Sequence, residues 1–266
     1  MKKLSIFAVT IAALAFTACG GNKNQQATEQ TEEKSFEQEQ VEAKVKMEID
    51  SLSAEIGKLK KLPFLQTTDN GFKLTDQEKQ AKPDYLLDVA AVENATTLAE
   101  KYRLVSALSV DKSIAALYDM PVDDYQNAIA KLLADINDPS FKDIQDAANI
   151  YDAGQKLYDG MNQNGRINYF WQMTGATIVE EIFAMSQNID KFITAFDDES
   201  ASNVTYRVVL LSDAVKRLSE YDPEFEPVAK AVDALSPLNA MSVNELKSQL
   251  LEAKEKIAEA RAALLK

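Results

Sequence analysis

From Val41 to Leu264 the apolar side chains recur at intervals of three and four, and no window alternates apolar with polar residues. Only eight glycines punctuate the 266 residues. This patterning leaves one class, all-α, and predicts an antiparallel helical bundle of about eight helices. A first helix is expected over 36–62, striped by Val41, Val45, Ile49, Leu52, Ile56 and Leu59, and closed before Pro63. Asp69-Asn70-Gly71 reads as a turn, and Thr75 with Glu78 as a capping box on a short helical turn. Pro83 is expected to open a helix over 84–109 that breaks near Glu93, followed by 112–118. Further helices are expected over 122–136, ended by Asp138-Pro139, and over 141–162, ended by a turn at Asn164-Gly165. The remainder reads as 167–196, 201–220, 225–235 and 242–265.

Composition removes most catalytic chemistry. Without histidine there is no imidazole base, no His-dependent nucleophile and no His-ligated metal. One cysteine forms neither an intrachain disulfide nor a thiolate cluster. A formal charge of −13 argues against nucleic acid as a partner. The imbalance is concentrated in residues 63–242, which hold 29 acids against 15 bases, so the two ends of the chain are nearly balanced. No glycine-rich phosphate loop is present, and no cofactor is predicted. Ser109-Val110-Asp111-Lys112 matches Ser-x-x-Lys, but the companion motifs of that enzyme class are missing.

The N-terminus carries the most specific signal. Met1-Lys2-Lys3 is basic, Leu4 to Ala15 is apolar, and small residues lead into Cys19. The apolar run is shorter than the roughly 20 residues of a membrane-spanning helix. Ala18-Cys19-Gly20 after such a run resembles the lipobox of bacterial lipoproteins, with Phe16 standing where that family has Leu. The resemblance covers the export segment alone. It implies a signal peptide over 1–18, cleavage before Cys19, and lipid attachment at Cys19. Gly20 after the cysteine, in place of Asp, implies the outer membrane, with the body facing the periplasm. Residues 19–35 are poor in apolar side chains and read as a disordered, flexible tether, leaving 36–266 as the helical domain.

Within that domain, the most apolar helix begins at Arg166 and contains Tyr169, Trp171, Glu180 and Glu181. Glu180 shares a helical face with Met173, Ala176, Phe183 and Ala184, neighbours that would bury its carboxylate. Two readings follow: a buried carboxylate beside the aromatic cluster that binds a cationic or sugar-like ligand or acts as a general acid, or a residue that marks where the helix surfaces or meets an arginine from a neighbour. Gly175 on the same helix marks a close helix–helix approach. Asp135 to Ser140 begins like a calcium loop, but Pro139 and the missing glycine break the pattern, and no metal is predicted. Asp197-Asp198-Glu199 is expected to end a helix in a solvated turn. At the other end, Ser242 and Glu245 cap a helix whose Val243, Leu246, Leu250, Ala253, Ile257, Ala260 and Leu264 keep coiled-coil spacing. That stripe belongs either to the bundle's own core or to self-association through residues 243–264. The expected role is a non-enzymatic binding module, attached to the membrane through an N-terminal acyl anchor, with an envelope protein as partner. A periplasmic ligand binder is the alternative, and a carboxylate-dependent hydrolase the third reading.

Overall fold

The computed structural model describes residues 74–143 and 150–266, together with the helical residues Ala43 and Met47. The signal segment 1–18, Cys19, the tether 19–35, the apolar stripe of 36–62 and the turn at 69–71 lie outside the described residues. Among those described there are α-helices and short 3-10 turns and no strand, the expected all-α bundle. Besides short helical turns, the longer helices among the described residues are α1 (Leu98–Leu117), α2 (Asp123–Ile136), α3 (Ile150–Gln163), α4 (Ile167–Gln187), α5 (Asp198–Tyr221), α6 (Glu226–Asp233) and α7 (Val243–Leu264).

Helices α1 and α4 form the spine. Fifteen of the 20 residues of α1 are buried, so it lies at the centre of the bundle rather than on its surface. Its first half, with Tyr102, Val105 and Leu108, packs in one core with α2, α3 and Met173. Its second half, with Val110, Ile114 and Leu117, joins a larger core with α4 to α7. Arg103 meets Gln172 (3.0 Å) near the start of both helices, and Tyr118 accepts from Asn188 Nδ2 (2.9 Å) at their far ends. These pairs show that α1 and α4 run in the same direction. Helix α7 runs against both: Lys247 pairs with Asp190 beyond the end of α4, while the Leu264 carbonyl accepts from Arg103 Nε (3.1 Å). Gly175 on α4 is packed against Val228 on α6, and a Cβ built there would run into the Val228 Cγ1 methyl.

Local chemistry explains where helices start. The Thr75–Glu78 capping box forms as expected. The expected helices 84–109 and 112–118 are instead one helix, α1, preceded by a 3-10 turn over Val89–Asn94. Thr97 caps it: its side chain accepts from Glu100 N, while the Glu100 carboxylate takes the N–H groups of Thr97 (2.9 Å) and Thr96 (2.7 Å). With that cap at 97, Pro83 opens no helix, and residues 81–88 form an irregular loop. The long helix expected over 167–196 ends at Gln187, because Asn188 leaves helical geometry (φ −134°, ψ 57°) and gives its amide to Tyr118. The turn at Asn164-Gly165 forms, with Gly165 at φ 73°.

The acidic run 197–199 is also corrected. Asp197 begins a helix instead of ending one: its carboxylate accepts from Ser200 N (2.8 Å) and Ser200 Oγ (2.6 Å), and Asp198 and Glu199 occupy the first turn of α5. Acids at that end are stabilised by the helix dipole. Asp138, in the calcium-like segment, is buried rather than solvated. It accepts from Tyr102 Oη (2.6 Å), Ser140 N (2.9 Å) and Asn164 Nδ2 (2.8 Å), tying α1 to the chain after α2. Ser242 caps α7, and Leu246, Leu250, Ala253, Ile257 and Leu264 are buried in the larger core, facing α4 and α6.

Candidate functional site

The four side chains singled out on α4 do not converge. Tyr169 lies flat against Tyr102, with ring centroids 4.5 Å apart and planes at 7°. Trp171 is sunk in the larger core, edge-on to Phe170, and its Nε1 has no hydrogen-bond partner among the described residues. Glu180 stands about 16 Å further along the helix than Tyr169, at 1.5 Å per residue. Glu181 is one position on, rotated about 100° around the axis, and faces α5 rather than α7.

Glu180 is fully buried, and Arg261 of α7 clamps it with both carboxylate oxygens engaged. Arg261 Nε donates to Oε1 (3.0 Å) and Oε2 (2.8 Å), and Nη2 to Oε1 (2.7 Å). The guanidinium carbon sits 4.3 Å from the centre of the Phe183 ring, so charge and ring quadrupole act together. Burial works against the Arg261 charge, but its hydrogen bonds to Glu180 and the nearby carboxylates outweigh this and hold its pKa above the usual value.

A third charged residue completes the cluster. Asp111 of α1 is also fully buried, accepts from Leu87 N (2.6 Å) through Oδ2, and lies 3.5 Å from Arg261 Nη2. Among the described residues its Oδ1 has no hydrogen-bond partner, and neither does the enclosed hydroxyl of Tyr85, whose ring meets Phe183 edge-on at 5.9 Å. Burial, and then the neighbouring Glu180, push the Asp111 carboxyl well above the ordinary range. Tyr125 closes the cluster from α2, its phenol pushed up to about 12 by burial and by Asp111.

Glu181 is buried as well, and its Oε2 has no partner among the described residues. Burial drives its pKa well up, with the charge of Arg207 on α5 opposing. Asn203, one turn from Arg207, is buried with an unpartnered Nδ2.

Sequence reasoning found Glu180 but missed Asp111, Arg261 and Tyr85. The signal was present: Asp111 is a charge inside a helix of Leu, Val, Ala and Ile, and Arg261 falls between Ile257 and Leu264 on the apolar side of α7. Among the described residues, no group of three His, Cys, Asp or Glu side chains could hold a metal ion, and no helix is long and apolar enough to cross a membrane. No family model, curated protein or solved structure matches the chain.

The outer surface presents a different feature. Tyr206 and Val209, three residues apart on α5, are 53% and 55% exposed. Met241, 59% exposed, is held at the N-terminal end of the same face, where its carbonyl accepts from Ser202 Oγ (3.3 Å) one turn before Tyr206.

Proposed function

We propose that the chain is a lipid-anchored helical protein of the bacterial outer membrane that works by binding an envelope protein from the periplasmic side. The observation that carries the binding role is the solvent-exposed strip of Tyr206, Val209 and Met241. Tyrosine is favoured at interfaces because it contributes a large rigid contact area and a polar tip. The anchor rests on the lipobox-like Cys19 and the basic, apolar leader before it. Several acyl chains give stable attachment. A tether of the length of 20–34 reaches about 20 to 25 Å, which would confine the bundle near the bilayer and raise its effective concentration for partners there.

The internal geometry favours this reading over the other two. Glycoside hydrolysis needs two carboxyl groups about 5 to 9.5 Å apart across a cleft. The pair this fold brings together, Asp111 and Glu180, is buried on a single arginine nitrogen. An aromatic pocket would need Tyr169 or Trp171 beside Glu180, and they are packed elsewhere.

A photo-crosslinking residue placed at Tyr206 in intact cells tests the binding role, with the exposed Lys216 of the same helix as control. A discrete adduct from position 206 alone is expected; equal products from both positions refute it. Fatty-acid labelling of the wild type but not of Cys19→Ser tests the anchor, and equal labelling of both overturns it.

A further inference from the structure

We propose that Asp111 holds a proton shared with the Glu180 carboxylate, and that this proton makes the Asp111–Glu180–Arg261 cluster a pH-dependent lock on the C-terminal helix α7. The geometry begins with one atom. Arg261 Nη2 lies 2.7 Å from Glu180 Oε1 and 3.5 Å from Asp111 Oδ2, so two buried carboxyls crowd a single guanidinium nitrogen. Both ionised, they would leave one uncompensated negative charge in the core. Two like charges at such range do not both ionise; one keeps its proton. The hydrogen-bond pattern says which one. Glu180 is saturated by the two-nitrogen grip of Arg261, whereas Asp111 has a free, fully buried Oδ1. A proton on Asp111 removes the second negative charge from beside Glu180 and gives the Asp111 carboxyl a donor to offer.

The groups facing the cluster reinforce this. The loop 81–88 contributes Tyr85, the Leu87 N–H and the acids Asp84 and Asp88; α1 contributes Tyr118, α2 Tyr125, and α4 Phe183. Among these, Arg261 is the cation, and its charge opposes the rise that burial and Glu180 impose on Asp111. Raising the pH drives the Asp111 proton toward solvent, but ionisation inside the closed bundle places a second negative charge beside Glu180, and burial penalises it more than Arg261 compensates. Opening of α7, which closes over the cluster and whose Leu264 carbonyl is held by Arg103, admits water to both carboxylates and relieves that charge. Release of this end would uncover Ile257 and Leu264, which are buried in the larger core.

Amide hydrogen exchange of residues 257–266 in the full chain, corrected for intrinsic rates, reads the lock directly. Between pH 6 and 9 wild-type protection should fall by up to about tenfold per pH unit, the slope of a single proton. Asp111→Asn retains a donor but has no proton to lose, so its profile should be flat. Glu181→Gln, facing α5, should keep the wild-type slope above pH 7. A flat wild-type profile overturns the proposal, and so does a wild-type slope in Asp111→Asn. Should the variant fail to fold, the carbon-13 titration of the Asp111 carboxyl in the wild type decides. A proton retained at pH 6 supports the lock, and titration at an ordinary aspartate pKa overturns it.

Discussion

The contact between α4 and α6 makes a prediction whose sign depends on the background. In the wild type, Gly175→Ala places a methyl against Val228 Cγ1. Val228 is fully buried and its branched side chain is stiff at χ1, so the clash is not relieved by rotation. Overpacking of this kind costs about 1 to 3 kcal/mol, and the better helix propensity of alanine returns about 1 kcal/mol. Gly175→Ala alone should therefore destabilise by about 1 kcal/mol. Val228→Ala removes two buried carbons, about 1.6 kcal/mol of transfer free energy, and the cavity raises the loss to about 2 to 3 kcal/mol. With the Val228 Cγ methyls gone, the new methyl enters vacated space and the propensity gain is retained. The double variant should then be about 1 to 2 kcal/mol more stable than Val228→Ala alone. Urea denaturation of the four proteins at one pH measures all of these terms. Gly175→Ala having the same effect in both backgrounds, within about 0.5 kcal/mol, would refute a direct steric contact.

The remaining predictions concern the buried charges. Arg261→Met strands Glu180 without its counter-ion, and urea unfolding should show a loss of about 3 to 5 kcal/mol; adding Glu180→Leu should recover most of it. For Glu181, a folded-state pKa above the unfolded value means the native state binds the extra proton, so its contribution is full below pH 4.5 and declines as pH rises. Glu181→Gln should flatten the fall in stability between pH 5 and 7 by up to about 1.4 kcal/mol per unit. An unchanged slope in urea midpoints would contradict the buried carboxyl. On the acid side, Glu78 is held at about 2 by its Lys191 and Thr75 hydrogen bonds, so the fastening it provides is lost as pH falls from 4.5 toward 2.

Local signals in the chain translated well into structure. The Thr75 and Ser242 caps, the Asn164-Gly165 turn, the close approach at Gly175 and the apolar stripe of α7 each depend on residues within a few positions or on one face. The errors have the same physical origin in reverse. Helix α1 was divided because its interior Ser, Asp and Arg residues look like surface, yet Ser109 and Ser113 bond back to the carbonyls of Val105 and Ser109, and Arg103 is consumed by Leu264 and Gln172. The acidic run at Asp197 before Ser200 can serve either helix terminus on sequence grounds, and the extended geometry of Phe196 decides for a start. The parallel course of α1 and α4, and the meeting of Arg261 with residues 81 and 150 positions earlier, leave no local trace at all. Asp111, Glu180 and Arg261 each stand as a charge among apolar neighbours in the sequence; that the three meet is set by packing between helices far apart in the chain.

The bond from Arg103 to the Leu264 carbonyl spans 161 residues, and it has a consequence for the order of events in the life of the chain. The neighbouring pairs α1–α2 and α5–α6 can close early, since each needs only a short loop. The central helix cannot be sealed until α7 arrives, because before then Arg103, Asp111 and Glu180 have polar groups that water must still serve. Closure across so long a stretch is entropically slow. Until α7 docks, the facing polar groups of α1 and α4 stay open to water, so this spine is the last part of the bundle to dry.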